Sequence, residues 1–304
     1  MARAAQYDQY GGPEVLHVAE VPTASAGPGD VVVQVHAAGL NPFDAKVRSG
    51  SIPTDAPFPR RIASDVAGTV TALGPGATYW DGSAVQVGDE VLGRAAGAAA
   101  DEVVAHASDL TRRPSGLPVE AAGGLNVAGL TAVSILRTAP VGADDTVLVG
   151  GAAGGVGFVA AQLAVAAGAT VIGTASEANH DLLRSVGVVP VAYGAGLADR
   201  VRALGAVTVV YDCHGRDALD AGVELSVPAD RMVAIAAYDA VDELGVGNAE
   251  REARTAENLA GLAEEIAAGR LRFPVARTFP LDQIVAAFEA VESSHAPGKI
   301  VVIP

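Results

Sequence analysis

The chain has 304 residues, of which 50% are hydrophobic, and its formal net charge at pH 7 is −15. A mean hydropathy of +0.33 indicates large buried cores, and the length is sufficient for two domains. An acidic surface repels nucleic acid and anionic membranes, so we expect neither as a partner.

Cysteine usage and the N-terminal segment bear on the cellular compartment. Cys213 is the single cysteine, so no internal disulfide can form, as is usual in a reducing environment. The first residues, MARAAQYDQYGGPEV, lack the apolar core of a signal peptide. We therefore expect the protein to be cytoplasmic.

The first 120 residues predict an antiparallel β domain. Segments rich in β-branched residues at 31–36, 66–73 and 90–93 are strand candidates. Gly-Pro and Gly-Asp turn signals separate them, which is typical of short antiparallel strands.

Residues 146–176, TVLVGGAAGGVGFVAAQLAVAAGATVIGTAS, form an uncharged run that is long enough to cross a bilayer. Its glycines argue against a spanning helix, since each interior glycine costs about 1 kcal/mol relative to alanine. The run instead predicts a strand over 146–149, a tight turn, a helix that ends at Gly168 and a strand over 170–173. This β-turn-α-β pattern is typical of a dinucleotide site in a parallel sheet.

The turn matches the dinucleotide fingerprint G-x-G-x-x-G, with Ala152 in the first place and Gly154 and Gly157 in the others. Gly154 lets the backbone approach a pyrophosphate, and Gly157 lets the helix pack closely. The helix N-terminus, including the N–H groups of Gly155 and Val156, favours an anion. We predict that these five residues bind a dinucleotide; the alternative is a purely structural glycine turn.

The end of the second strand bears on which dinucleotide binds. An acidic residue there would bind the ribose hydroxyls of NAD and repel a 2′-phosphate. The strand ends at Thr174, Ser176 is neutral, and the first acid, Glu177, lies one step beyond with Asn179 after it. We predict NADPH as the cofactor, with Thr174, Ser176 and Asn179 as contacts. The alternative is that Ser176 and Asn179 only cap the next helix.

Strand and helix candidates alternate after the turn, which predicts an α/β fold with a doubly wound sheet. The further strands are expected at 190–193, 207–211 and 232–236. Helices are expected at 255–268 and after an N-cap at Asp282. The last strand, 299–303, has no helix after it and is expected to return to the first domain.

Several short motifs occur along the chain in a fixed order: GGPEVL at 11–16, NPFD at 41–44, DVAGTV at 65–70, GD at 88–89, GLTA at 129–132, the glycine turn, and GKIV at 298–301. In this order, over nearly the whole chain, they resemble the zinc-independent quinone oxidoreductase group of the medium-chain dehydrogenase/reductase superfamily. The resemblance implies a GroES-like β-barrel domain, residues 1–122 and 272–304, and a Rossmann-type NADP-binding domain, residues 123–271. It also implies an NADPH-dependent reductase whose small-molecule substrate lies in the cleft between these domains.

The resemblance also assigns site residues. Asn41 and Thr131 are expected at the nicotinamide end, with Asn41 as the hydrogen-bond donor to the acceptor, and Asp44 is expected to orient its loop rather than act as an acid. Tyr193 and Lys299 are expected as a wall contact and a phosphate-side contact. The alternatives are that Asn41 is a turn residue before proline and that Lys299 is a solvated residue at a strand start.

We expect no metal. A catalytic zinc of this superfamily needs a thiolate and an imidazole from the first domain, yet residues 1–212 contain no cysteine. In Asp212-Cys213-His214, alternate side chains of a strand point to opposite faces and cannot easily converge on one ion. The reaction is then hydride donation to an acceptor that is already electrophilic, such as a quinone or an enone.

Four segments depart from the family pattern. Residues 51–53 offer no aromatic side chain, residues 61–64 replace a glycine-containing approach to Asp65, and Asn126 stands where proline is usual. Residues 245–254 are polar where relatives often have an apolar strand that joins two subunits. We therefore do not expect a sheet-edge dimer, and we leave open a homodimer formed by another surface.

Two alternatives to a quinone reductase are open. One is an enoyl or alkenal double-bond reductase, for instance in a biosynthetic pathway, which also needs a proton for the α-carbon. The other is a non-catalytic NADPH-binding sensor or regulatory protein.

Overall fold

The structure is a computed structural model that describes residues 1–293 and 297–304. It divides into two compact units. One unit, the β unit, consists of Met1–Val127 and Thr255–Pro304, and the other, the α/β unit, is Ala128–Arg254.

In the described residues, the strands in chain order are β1 (Ala2–Tyr7), β2 (His17–Val21), β3 (Asp30–Leu40), β4 (Arg60–Arg61), β5 (Asp65–Leu73), β6 (Glu90–Arg94), β7 (Glu102–His106), β8 (Leu110–Arg112), β9 (Thr146–Gly150), β10 (Thr170–Thr174), β11 (Val189–Val191), β12 (Val209–Asp212), β13 (Met232–Ala234), β14 (Gly247–Asn248), β15 (Val275–Pro280) and β16 (Lys299–Ile303). The α-helices are α1 (Pro42–Ser49), α2 (Val119–Thr138), α3 (Gly155–Ala166), α4 (His180–Arg184), α5 (Leu197–Arg202), α6 (Asp217–Glu224), α7 (Tyr238–Leu244), α8 (Ala256–Ala267) and α9 (Ile284–Glu292).

The β unit is built around the long strand β3. This strand pairs antiparallel with β5, β7 and β16, and the larger sheet has the order β15-β16-β3-β5-β6-β8. A smaller sheet has the order β2-β1-β4. The predicted return of the last strand to the first domain is confirmed, because β16 lies directly beside β3. The start of β16 is therefore brought next to the end of β3.

The α/β unit contains one parallel sheet with the order β11-β10-β9-β12-β13-β14. Alternate strand residues pack into two separate cores: Val147 and Val149 belong to one, and Leu148 belongs to the other. Both faces are thus covered, as the uninterrupted apolar strands predicted. The predicted doubly wound sheet is confirmed, and the ends of its predicted strands differ by at most two residues.

Three boundaries differ from the expected ones. The β unit first ends at Val127 rather than at residue 122. The chain re-enters the β unit at Thr255 rather than at residue 272, because α8 packs against β8 of that unit. Asp282 was expected to cap α9, but it lies within a short 3-10 turn, and Gln283 occupies the N-cap position.

Helix α2 is long and apolar enough, by composition alone, to cross a bilayer. In the structure, 72% of its most apolar window is buried against the rest of the protein. This burial is what a core helix of a folded domain shows. The run 146–176, in contrast, divides into β9, α3 and β10 as predicted.

Candidate functional site

The glycine turn between β9 and α3 has space where a nucleotide fingerprint requires it. A Cβ on Gly157 would lie 2.3 Å from the carbonyl oxygen of Gly151, so α3 can cross the turn only with glycine there. A Cβ on Gly154, the N-cap of α3, would meet only that same oxygen, at 3.3 Å. The turn is thus closed at Gly157 and open at Gly154, and Gly155 and Val156 follow at the half-exposed start of α3. The first N–H groups of a helix in this position can bind phosphate.

Thr174 and Ala152 stabilise the turn from within the protein. The Thr174 hydroxyl accepts a hydrogen bond from the N–H of Gly151 at 2.9 Å, and its carbonyl accepts one from Ala152 at 3.0 Å. Both residues are buried. Their contacts show how β10 holds the turn, while their direct contact with a cofactor stays a prediction.

Ser176 and Asn179 lie together after β10. The Asn179 side-chain nitrogen donates to the Ser176 hydroxyl at 3.1 Å. Both residues occupy N-cap positions, of a short 3-10 turn and of α4, but neither side chain caps a helix N–H. The capping alternative therefore does not explain these two side chains, and both are half-buried at the edge where a 2′-phosphate is expected.

Tyr193 follows β11 and its side chain is 58% exposed. Arg200, for which the sequence offered no signal, holds this loop: its guanidinium donates to the carbonyl oxygens of Ala192, Tyr193, Gly194 and Ala195. The hydrogen bonds from Arg200 to these carbonyl oxygens therefore hold the loop in place. They leave the Tyr193 ring exposed, where it could form the predicted wall contact.

Asp212 lies at the carboxyl end of β12, next to the end of β9. Its Oδ1 accepts the N–H of Gly215 at 3.0 Å, whereas its buried Oδ2 has no hydrogen-bond partner among the described residues. Burial raises the pKa of Asp212 to about 6. Because a Cβ on Gly150 would lie 3.1 Å from Oδ1, this carboxyl group borders the glycine turn. It can accept a hydrogen bond from a ligand hydroxyl there.

The β unit contains a buried polar cluster, which we define as Asn41, Asp44, Asp65, Asn126 and Lys299. All five are at most 9% exposed. They come from the end of β3, the first turn of α1, the start of β5, α2 and the start of β16. The return of β16 beside β3 is what brings Lys299 to this place.

Asp65 is the centre of the polar cluster. Its Oδ1 accepts from the side chain of Asn126 at 3.1 Å and from the N–H of Val127 at 3.0 Å. Its Oδ2 accepts from the Asn41 side chain at 3.2 Å and from the Lys299 ammonium at 3.1 Å. Lys299 also donates to Asn41 Oδ1. The carboxylate thus receives four donors, which satisfies its acceptor capacity.

Asp44 closes the first turn of α1, and its Oδ2 accepts the backbone N–H of Asn41 at 2.9 Å. This bond is of the orienting kind that the sequence predicted. Burial, followed by the nearby charge of Asp65, raises the pKa of Asp44 to about 7. The side chain therefore changes its protonation state within the physiological pH range.

Of the predicted catalytic residues, Asn41 and Asp44 are brought together, and Thr131 is buried on α2 in the α/β unit. Lys299 is 5% exposed, so the alternative of a solvated residue at a strand start is wrong. Two of its three N–H groups are used by Asn41 and Asp65, and its contact with a phosphate stays a prediction. In the sequence, Asp65 was noted only as the first residue of the DVAGTV motif, without a site role.

The residues present do not fit zinc. Nowhere in residues 1–293 and 297–304 do three His, Cys, Asp or Glu side chains form a group that could hold a metal. In the polar cluster, a lysine ammonium already neutralises Asp65, and the other members are two amides and the carboxyl group of Asp44 rather than the thiolates and imidazoles that zinc prefers. Burial also raises the pKa of the Cys213 thiol, which keeps it protonated.

Two family models match the chain. Residues 27–126 match the alcohol dehydrogenase GroES-like domain, and residues 189–302 match a domain described as zinc-binding dehydrogenase. The first range lies in the β unit and supplies most of its strands.

The chain is similar over its full length to a quinone oxidoreductase of Pseudomonas aeruginosa, with 30% identity and 100% of both chains covered. It is also 34% identical, over 90% of its length, to the pikromycin polyketide synthase component PikAII of Streptomyces venezuelae, but it spans only 8% of that protein. The solved Escherichia coli quinone oxidoreductase in complex with NADPH superposes with a TM-score of 0.84 and 27% identity, covering 99% of this chain and 100% of that one. The chain belongs to the quinone oxidoreductase group of the medium-chain dehydrogenase/reductase superfamily.

Proposed function

We propose that the chain is an NADPH-dependent oxidoreductase that transfers hydride, without a metal, to a quinone or another electron-poor acceptor. The observation that carries this proposal is the glycine turn, open at Gly154 and closed at Gly157, in a chain related over its whole length to quinone oxidoreductases. The buried polar cluster, with hydrogen-bond donors but no thiolate or imidazole, supports the metal-free part.

The residues present fit the dinucleotide. The start of α3, with Gly154, Gly155, Val156 and Gly157, would hold the pyrophosphate through backbone N–H groups and the helix dipole. The hydroxyl and amide of Ser176 and Asn179 would bind a 2′-phosphate, which the absence of an acid on β10 itself permits.

When bound, the nicotinamide supplies the hydride. The chain's own contribution is to orient the acceptor and to stabilise the negative charge that develops on its oxygen, which preorganised donors do best in a buried site. In the polar cluster, Asn41 is the side chain that we assign to this oxygen, and Asp44 fixes the turn that carries it. Thr131 is assigned to the nicotinamide end on family resemblance.

The test is a steady-state screen of NADPH oxidation against a benzoquinone, an α,β-unsaturated ketone and an enoyl thioester, repeated with NADH. We expect turnover with the quinone and a higher kcat/KM with NADPH than with NADH. Tighter binding of NADH would contradict the assignment of Ser176 and Asn179. Activity that disappears on chelation and returns with zinc would contradict the metal-free reaction.

An enoyl or alkenal double-bond reductase is the second candidate, because the chain also matches a segment of a polyketide synthase component. The same screen separates the two: preference for the enone or the thioester over the quinone supports this candidate. Tight NADPH binding without turnover on any acceptor supports a sensor. Cytoplasmic residence and a homodimer that does not use the edge at β14 also remain proposals from the sequence.

A further inference from the structure

Lys299 is unusual in this chain. Of the 20 lysines and arginines, only Lys46 and Lys299 are lysines, and Lys299 is 5% exposed. Its stem runs between two glycines: a Cβ on Gly124 would lie 2.6 Å from its Cγ, and a Cβ on Gly39 would lie 3.0 Å from its Cε. Two backbones without side chains therefore admit this one long side chain to the interior.

The Lys299 ammonium forms hydrogen bonds with two groups that define its role. It donates to Asp65 Oδ2 at 3.1 Å and to Asn41 Oδ1. The other oxygen of Asp65 is held by Asn126 and by the N–H of Val127, so the carboxylate cannot rotate without losing hydrogen bonds. The ion pair thus links β16, which carries Lys299, to α2, whose Asn126 holds the other oxygen of Asp65.

The neighbours of Asn41 decide how its carboxamide points. An ammonium can only donate and a carboxylate can only accept, so the amide oxygen must face Lys299 and the amide nitrogen must face Asp65. Rotating the amide by 180° would place donor against donor and acceptor against acceptor. Lys299 supplies the charged donor to this oxygen, beside the backbone N–H of Asp44 in the capping box of α1.

We propose that Lys299 is a positioning residue of the site: its ammonium, anchored by Asp65, locks the Asn41 carboxamide in one orientation for contact with a bound hydride acceptor. This inference rests on the proposed function, in which Asn41 contacts the acceptor. The need for one fixed orientation of the Asn41 carboxamide would explain three features together: a buried lysine, two glycines around its stem and an asparagine at position 126.

The experiment compares Lys299→Met, Asp65→Asn and the double variant that carries both substitutions. Each single change leaves one buried charge unpaired and should lower Tm by roughly 5 °C or more, whereas the double variant has no unpaired charge and should regain much of that loss. If the pair only stabilises the fold, catalytic efficiency should recover together with Tm. If it positions Asn41, kcat/KM for the acceptor, measured at saturating NADPH, should stay at least about tenfold below wild type in the double variant.

Arg113→Met is the control, because it breaks a different ion pair of the β unit, which is partly exposed and joins Arg113 to Glu90 at 2.6 Å. It should lower Tm while kcat/KM per folded molecule stays at the wild-type value. Gly124→Ala is the second test variant and applies even if the double variant does not fold. Its Cβ displaces the stem of Lys299 without removing a charge, and it should lower kcat/KM several-fold.

A measurement that needs no turnover completes the test. Hydrogen exchange of the Asn41 carboxamide protons, assigned in NMR spectra by comparison with Asn41→Asp, should be slow in the wild type and faster in Lys299→Met. Unchanged exchange in Lys299→Met, or wild-type kcat/KM in the folded double variant or in Gly124→Ala, overturns the positioning role. Slow exchange in a wild type that reduces no acceptor leaves the positioning intact and refutes the proposed function instead.

Discussion

At Asp44, one carboxyl group both closes the first turn of α1 and titrates near neutral pH. The two properties have a common cause, because the position that lets Oδ2 accept the Asn41 N–H is also buried beside Asp65. Lys299 and Tyr7 also lie within its electrostatic reach. Protonation of Asp44 therefore alters the surroundings of Asn41 directly.

We predict that Asp44→Asn reduces the pH dependence of stability. The pKa of Asp44 is about 7 in the folded protein and near 3.8 for a free carboxyl, so the folded state binds more protons between these values. The free energy of unfolding then falls as pH rises from about 4 to about 7. The Tm of Asp44→Asn relative to wild type should be higher at pH 8 than at pH 5, as measured by thermal denaturation.

Asp212, whose pKa is raised to about 6, contributes in the same direction and is present in both proteins, so it cancels in this comparison. A difference in Tm that does not change between pH 5 and pH 8 would show that Asp44 is ionised in the fold. The same variant should also flatten any loss of kcat/KM above about pH 7.

Ala63 explains one of the departures from the family pattern. It has a φ of 72°, in the left-handed region, and it is buried between β4 and β5. Its carbonyl accepts the N–H groups of Gly97 and Ala98, which hold it there. A glycine at such a position removes the clash of Cβ with the backbone.

We predict that Ala63→Gly stabilises the protein by about 1 kcal/mol, or roughly 2 to 4 °C in Tm. Ala72→Gly, on the exposed part of β5 with ordinary extended backbone, is the matched control and should destabilise by about 0.5 to 1 kcal/mol. If both substitutions lowered Tm by the same amount, Ala63 would not be strained.

At the scale of elements, the β9-turn-α3-β10 segment was predictable because its signals are local. Glycine spacing, apolar strands and the Gly168 stop all lie within one stretch of chain, and Gly168 has a φ of 93°. The ends of β11 and β12 shifted because hydrogen bonding to neighbouring strands, rather than composition, decides where pairing starts. Asp282 failed as an N-cap because a 3-10 turn, Leu281–Gln283, precedes α9.

We predict that Gly154→Val lowers NADPH affinity at least about hundredfold, which corresponds to about 2.7 kcal/mol, because its side chain fills the space that a pyrophosphate needs. The fold should persist, since that Cβ meets only the Gly151 oxygen at 3.3 Å. Gly261→Val, on the exposed surface of α8 with no atom within 4 Å, is the control and should bind NADPH like wild type. Binding is measured by fluorescence titration, and unchanged affinity in Gly154→Val would refute the phosphate-binding turn.

At the scale of the whole molecule, the two units place the candidate residues in different ways. The glycine turn, Ser176, Asn179 and Asp212 belong to one parallel sheet, whose strands end at a common edge. The polar cluster instead collects residues from five elements that span nearly the whole chain. Such a cluster cannot be read from spacing, because the approach of β16 to β3 is long-range.

The sequence by itself determined the α/β class, the glycine turn and the family, since these depend on periodicity, on glycine positions and on the order of short motifs. It also pointed to Asn41 and Asp44, which share one capped turn. Only the tertiary structure decided that Asp65 and Asn126 belong with them and that Lys299 is buried rather than solvated. The physical reason is that a buried charge is stable only beside its partner, and the partners of Lys299 lie more than 200 residues away in the chain.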